Sequence, residues 1–379
     1  VSADRAPARV VLVTGARGAI GRAVVEALIN GSREAASVEE VIALDVRDTP
    51  ASERLEGVTY KTADVRDAAA MRDAIATHGV DTVVHLAAIV TPGPGMSREA
   101  MHAIDVGGTR NVLDACVASS VARLIVTSSG AAYGYYADNP PLLDEDDALR
   151  GNAEFAYSDH KRLVEELLAE YRARHPELGQ LVLRLCTVLG PHIDNQITAM
   201  FFRPQIVGVE GAPSPFVFAW DEDVVAAILA GVHQGATGVY NVAGDGVMTL
   251  REIAAALGRP YLALPAPLLS AAIVALQKRG RTTYGPEQVV FLQHRPVLGN
   301  ARLKRELGLR PLSSREAFAR YIALAEQRRE TAGVASEGLV QALSARLGRG
   351  DAPARATLGA AHWAVGVLAP ALAHVLRRV

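Results

Sequence analysis

The sequence predicts an α/β protein, a doubly wound parallel sheet with a smaller, discontinuous second lobe. Three observations predict it. Apolar runs of strand length alternate with segments of helical spacing through the first half of the chain. A glycine triplet, Gly15, Gly18 and Gly21, stands between the first such run and the first helical segment. And 379 residues suffice for a nucleotide-binding domain plus a second lobe, but exceed one ordinary compact domain.

The run from Val10 to Thr14 reads as a buried strand, the glycines follow at once, and residues 19–29 carry apolar side chains at helical spacing. Gly15 permits the tight turn, Gly18 lets the backbone approach a pyrophosphate, and Gly21 allows the helix to sit close to the sheet. Phosphates would then meet the free amides and the positive dipole end at Ala19 and Ile20, with Arg17 adding charge. A strand over 40–44 ends in Asp45, whose carboxylate can accept both ribose hydroxyls and would repel a 2′-phosphate. The expected cofactor is therefore NAD rather than NADP, with Arg17 and Arg47 within reach of a 2′-phosphate only if Asp45 turns away.

The alternation continues with a strand at Val58 to Thr62, a helix at Ala68 to Thr77, a strand over 82–86 and one long helix over 98–119. A strand over 123–127, a helix over 154–174 and a strand over 180–185 follow. Right-handed crossovers make such a series a parallel sheet covered on both faces, with ligands at the carboxyl ends of the strands. The Rossmann domain is assigned to 1–186 and completed by about 221–243, where a helix and a strand are expected. The substrate lobe takes 187–220 and 244–328, with helices over 250–257 and 314–325. Residues 329–379 are expected to form a C-terminal helical extension, since apolar positions recur there at helical spacing.

Half the residues are apolar and the formal charge is −2, which excludes the basic field that nucleic-acid binding needs. Cys116 and Cys186 lack metal spacing, as do His85, His160 and His192, which read as packing or surface residues. No metal site is expected. With two cysteines in buried segments and a polar stretch from Ser2 to Arg9, a reducing cytoplasm is the expected setting, with peripheral membrane contact through the tail as an alternative to docking on the fold. Only four lysines occur, at 61, 161, 278 and 304, so Lys161 stands out against an arginine background.

Thr14 to Gly21, Ala63-Asp64-Val65, His85-Leu86-Ala87-Ala88, Gly108 to Leu113, Thr127-Ser128-Ser129 with Tyr133-Gly134, Tyr157 to Lys161 and Leu189-Gly190-Pro191 together resemble the extended short-chain dehydrogenase/reductase superfamily. The likeness covers about 9–320 and extends to the NAD-dependent epimerase/dehydratase family and to 3β-hydroxysteroid dehydrogenase-like members. It implies adenine contact at Asp64 and Val65, cofactor contact along Leu86, Ala87 and Ala88, and catalysis by Ser129, Tyr157 and Lys161. A homodimer through the helices over 98–119 and 154–174 is also implied. Asp105 departs from the pattern, standing where relatives commonly carry Asn.

The chemistry is consistent with those residues. A secondary alcohol that loses hydride to a nicotinamide also loses its hydroxyl proton, so a base must lie within hydrogen-bond reach. Tyr157 can be that base, because an ammonium one turn along the helix, at Lys161, favours the phenolate and can hold the ribose. Ser129 can donate to the substrate oxygen.

Substrate class is read mainly from what is missing. Ala212 to Pro215 stand where sugar-nucleotide epimerases carry a pyrophosphate-gripping arginine, and Thr187 where they carry Asn. Gly130 and Ala131 replace the Asp-Glu pair of sugar dehydratases. Arg203, Arg281 and Arg295 read as surface residues. Residues 262–276 are almost wholly apolar, a core helix or a lipid-facing one. The expected activity is interconversion of a secondary alcohol and a ketone on an apolar, sterol-, acyl- or polyketide-like small molecule. A sugar-nucleotide epimerase is the alternative, and a catalytically silent NAD-binding scaffold the third reading.

Overall fold

In the computed structural model, which describes residues 9–34, 38–93, 95–279 and 285–328, the apolar runs of the first half become strands. These are β1 (Val10–Thr14), β2 (Glu40–Asp45), β3 (Val58–Thr62), β4 (Thr82–His85), β5 (Arg123–Ser129) and β6 (Gly179–Leu185). Between them run α1 (Ala19–Glu34), α2 (Ala68–Thr77), α3 (Arg98–His102), α4 (Gly108–Ala118) and α5 (Ala156–Arg174). Next come β7 (Thr187–Leu189), α6 (Gln196–Phe201), β8 (Ile206–Val209), β9 (Pro215–Phe216), β10 (Phe218–Trp220), α7 (Asp221–Gln234) and β11 (Gly238–Val242). The last elements are β12 (Met248–Thr249), α8 (Leu250–Ala256), β13 (Tyr261–Leu264), α9 (Ala266–Lys278), α10 (Glu287–Gln293), α11 (Ala301–Leu307) and helical residues from 314 onward.

Seven strands form one sheet in the order β11-β6-β5-β4-β1-β2-β3, every neighbouring pair parallel. Strand alternation sorts the core into two layers. Val11 and Val13 of β1 pack with Val24 and Leu28 of α1 and Ile228 and Val232 of α7. Leu12, facing the other way, joins Ile75 of α2, Leu113 of α4 and Leu168 of α5. The strand order reverses between β1 and β4, which opens a crevice above their carboxyl ends. β7 to β10, β12 and β13 make three small two-stranded sheets beyond those ends of the chain's main sheet.

The chain divides into two compact units, Val1–Tyr321 and Ile322–Val379. The first holds the sheet and also the segments read as a substrate lobe, as far as Tyr321. The second is described only over 322–328, which is helical. The extension at 329–379 and Arg281 lie outside the described residues.

Two expectations are corrected. The single helix over 98–119 is interrupted: five residues, Ala103–Gly107, take π-helical bonding between α3 and α4. The wider turn accommodates an extra residue and brings Asp105 inward, where it is buried and accepts a hydrogen bond from the Ile89 amide at 2.8 Å. The apolar run over 262–276 is not one helix, because Pro265 has no amide proton to donate and separates β13 from α9. Nor is α9 a core helix, since Leu269 is its one buried residue.

Candidate active site

The glycine turn is built as its spacing requires. Gly15 has φ +69°, and a Cβ there would lie 2.8 Å from the Ala87 nitrogen, so only glycine lets β1 leave the sheet beside the end of β4. At Gly21 a Cβ would come within 2.3 Å of the Gly15 carbonyl oxygen, so α1 can pack on this turn only without one. The Gly18 amide donates to the Gly15 carbonyl at 3.0 Å, and Gly15, Gly18, Ala19, Ile20 and Gly21 border one large cavity.

Asp45 is buried at the end of β2 and is not turned away. Its carboxylate accepts the Arg17 and Arg47 amides, each at 3.0 Å. The Arg17 guanidinium bonds the Asp48 carbonyl at 2.6 Å and lies 3.4 Å from Glu53, so it is engaged by the loop after β2. Arg47 reaches back to Asp45 at 3.4 Å. Asp64 is paired with Arg66, which holds its carboxyl below the usual range, and Asn111 binds the Val65 and Arg66 carbonyls at 2.9 and 3.0 Å. Leu86 and Ala88 border the large cavity, while Ala87 borders a small one behind it.

The cavity, of about 930 Å³, brings Ser129, Tyr157 and Lys161 together. Ser129 ends β5, and its hydroxyl accepts the Ala131 amide at 3.1 Å. Tyr157 lies in the first turn of α5, and the Lys161 ammonium sits 5.9 Å from its ring centroid. Lys161 is buried and donates to the Thr127 carbonyl at 3.2 Å, which fixes the charge under the site.

Sequence reasoning missed two parts of this site. The first is Arg295, which is not a surface arginine. Its guanidinium lies 3.9 Å from the Phe216 ring centroid and 4.2 Å from that of Phe291, and it donates to the Pro215 carbonyl at 3.0 Å and the Thr187 hydroxyl at 2.8 Å. Its Nη1 is buried without a partner, and the side chain borders the cavity. Burial pushes this guanidinium down to about 10, so it remains a cation at neutral pH. Arg203 also borders the cavity.

The second is a buried polar cluster behind Lys161. His160 Nδ1 lies 3.2 Å from Asp105, and the exposed His102 packs edge-on against the His160 ring at 5.4 Å. His85 Nδ1 is 2.7 Å from the Thr14 hydroxyl and its Nε2 is 3.1 Å from that of Thr109, which itself donates to the Asp105 carbonyl. That donation leaves Thr109 to accept from Nε2, and because burial keeps the ring neutral, Nδ1 accepts from the Thr14 hydroxyl. A cavity of about 10 Å³, close to the size of one water, is bordered by Lys161, Asp105, His85 and Thr109. The only sequence signal for this cluster was Asp105 in the place of Asn.

The chain is similar to known proteins in sequence and in fold. Over 352 residues the chain is 28% identical to sterol demethylase protein B of Methylococcus capsulatus, covering 84% of this chain and 98% of that protein. In fold it is similar to a UDP-glucose 4-epimerase of Thermotoga maritima with UDP-glucose (TM-score 0.64, 20% identity, 84% and 99% of the chains covered). It is similar too to a dTDP-glucose 4,6-dehydratase of Bacillus anthracis in complex with NAD (TM-score 0.65, 16% identity, 85% and 98% covered). The profile of the NAD-dependent epimerase/dehydratase family matches residues 11–243. With well over half its length matched, the chain belongs to that family.

Proposed function

We propose that the chain is an NAD-dependent oxidoreductase interconverting a secondary alcohol and a ketone on a bulky apolar substrate that carries one anionic group. The observation that carries this reading is the cavity around Tyr157. Leu269, Ile273, Phe291 and Leu292 build its walls, and Arg295 is held among them as a fixed cation. An apolar skeleton suits such walls, and an anion suits a guanidinium whose buried Nη1 has no partner among the described residues.

The glycine cradle, the α1 N-terminus and the pinned Asp45 fit a dinucleotide with free ribose hydroxyls, so NAD is the cofactor of this reading and NADP is disfavoured. NAD, when bound, supplies the hydride acceptor. The chain's own residues handle the proton. Ser129 donates to the substrate oxygen and fixes it, Tyr157 takes the hydroxyl proton, and Lys161, anchored on Thr127, stabilises the negative charge that develops nearby. Gly130 and Ala131 sit buried, where a Cβ on Gly130 would lie 2.9 Å from Leu298. Neither residue carries a group that could act as acid or base in β-elimination, which argues against dehydratase chemistry.

The name of the sterol demethylase relative speaks for an apolar substrate. A second reading, a sugar-nucleotide epimerase, is favoured by one observation: Arg203 and Arg295 border the same cavity and could clasp a diphosphate. Absorbance at 340 nm separates the two, with NAD and either acid-bearing hydroxysterols and 3-hydroxyacyl compounds or UDP- and dTDP-sugars. Net NADH formation with the first panel is the expected outcome. Sugar isomers formed without net NADH would establish the epimerase.

A further inference from the structure

We infer that the outer face of α9 is a docking surface for an anionic lipid bilayer. A helix in a folded domain normally buries one apolar stripe and gives water a polar one. α9 does not. Leu269, Ile273 and Leu276, at helical spacing, border the cavity. Leu268, Ala271 and Ala275 cluster on another face of the helix and are exposed, Leu268 by 57%. An exposed apolar helix face calls for a partner.

Charge identifies the partner. From residue 253 to 286 there is no Asp or Glu, while Arg259, Lys278, Arg279 and Arg281 are basic. Lys278 and Arg279 end α9, are exposed, and pair with no carboxylate among the described residues. An apolar face ended by unpaired cations matches an interfacial helix, whose apolar side enters the acyl boundary while its basic residues meet anionic headgroups. Thirteen residues make a helix of about 20 Å, too short to span the roughly 30 Å hydrocarbon core, so α9 lies along the surface. No helix among the described residues is long and apolar enough to cross a membrane. The same helix thus has one face on the bilayer and the other on the cavity, an entry route for an apolar substrate. That last consequence rests on the proposed function; the docking surface does not.

The test is co-sedimentation of the full chain with vesicles of phosphatidylcholine alone and of phosphatidylcholine mixed with phosphatidylglycerol, without any turnover measurement. Binding to the mixed vesicles is expected, weakened by salt. Leu268→Glu and the pair Lys278→Glu, Arg279→Glu should each lower partitioning about tenfold or more while NAD binding, measured by calorimetry, is retained. Absence of binding to mixed vesicles would overturn the inference. So would binding that neither variant weakens, which would assign it to another segment such as 329–379. A fall in mass by light scattering in Leu268→Glu would assign the face to a second copy instead.

Discussion

Tyr157 and Lys161 stand one turn apart on α5, and Lys161 cannot swing away because it is buried and bonded to the Thr127 carbonyl. A phenol above a fixed ammonium is what a proton-accepting residue needs, so Tyr157→Phe should keep NAD binding and lose about 10²- to 10⁴-fold in kcat, measured at saturating substrate. A kcat within a fewfold of wild type would remove Tyr157 from the mechanism. His85 gives a second prediction, on stability. Burial above all, with the Lys161 ammonium adding to it and Asp105 opposing, pushes its imidazole down to about 4. Unfolded histidine titrates near 6.5, so between these values the unfolded chain binds more protons. The neutral ring's contribution is therefore complete above about pH 6.5 and is lost as pH falls toward about 4. Urea unfolding at neutral and mildly acidic pH should show a smaller acid loss in His85→Gln than in the wild type; equal losses would contradict the assignment. Gly15, Tyr157 and Lys161 were legible in the sequence because a local demand fixes each one: a turn, or a helical spacing. Arg295 was not, since its burial comes from Phe216, remote along the chain, and Asp105 meets His160 across 55 residues.

Among the elements, the unit from β1 to α1 is the most constrained. The helix rests on the turn through Gly21, where a methyl group would overlap the Gly15 carbonyl. Gly21→Ala should push α1 off the turn, lower NAD affinity by about tenfold or more and cost about 1–3 kcal/mol of stability. Calorimetric titration with NAD checks the first, and unchanged affinity would mean that the close packing does not shape the site. The central strands were readable because those buried on both faces need continuous apolar runs, as in β1, whose ends fall where its run ends. The π turn was not readable, since apolar periodicity passes through Ala103–Gly107 without a break. It depends on contacts from outside the helix: Asp105 holds the Ile89 amide, and Gly108 packs where a side chain would strike Val65. In the 262–276 run, composition gave the apolar character but not its direction. Which side of α9 meets the cavity is set by its packing on α10, not by α9 itself.

At the scale of the whole molecule, the strand order opens the crevice, the glycine turn and Asp45 occupy one side, and Ser129, Tyr157 and Lys161 rise on the other. The α/β alternation made the sheet and the dinucleotide side foreseeable. The substrate side was foreseeable only as apolar, because its walls come from α9, α10 and the segment around Arg295, which meet only in the folded chain. The central claim is that the proton and hydride removed by this site leave the substrate for good, as in a dehydrogenase, rather than returning to it, as in an epimerase. The most direct measurement is to follow deuterium from the carbinol carbon of an acid-bearing hydroxysterol, with NAD in excess and product analysed by mass spectrometry. Deuterium accumulating in NADH, with an unlabelled ketone as product, is the predicted result. No label in NADH from that substrate, together with UDP-sugar deuterated at the carbinol carbon returning as its isomer with the label in place, would contradict the account.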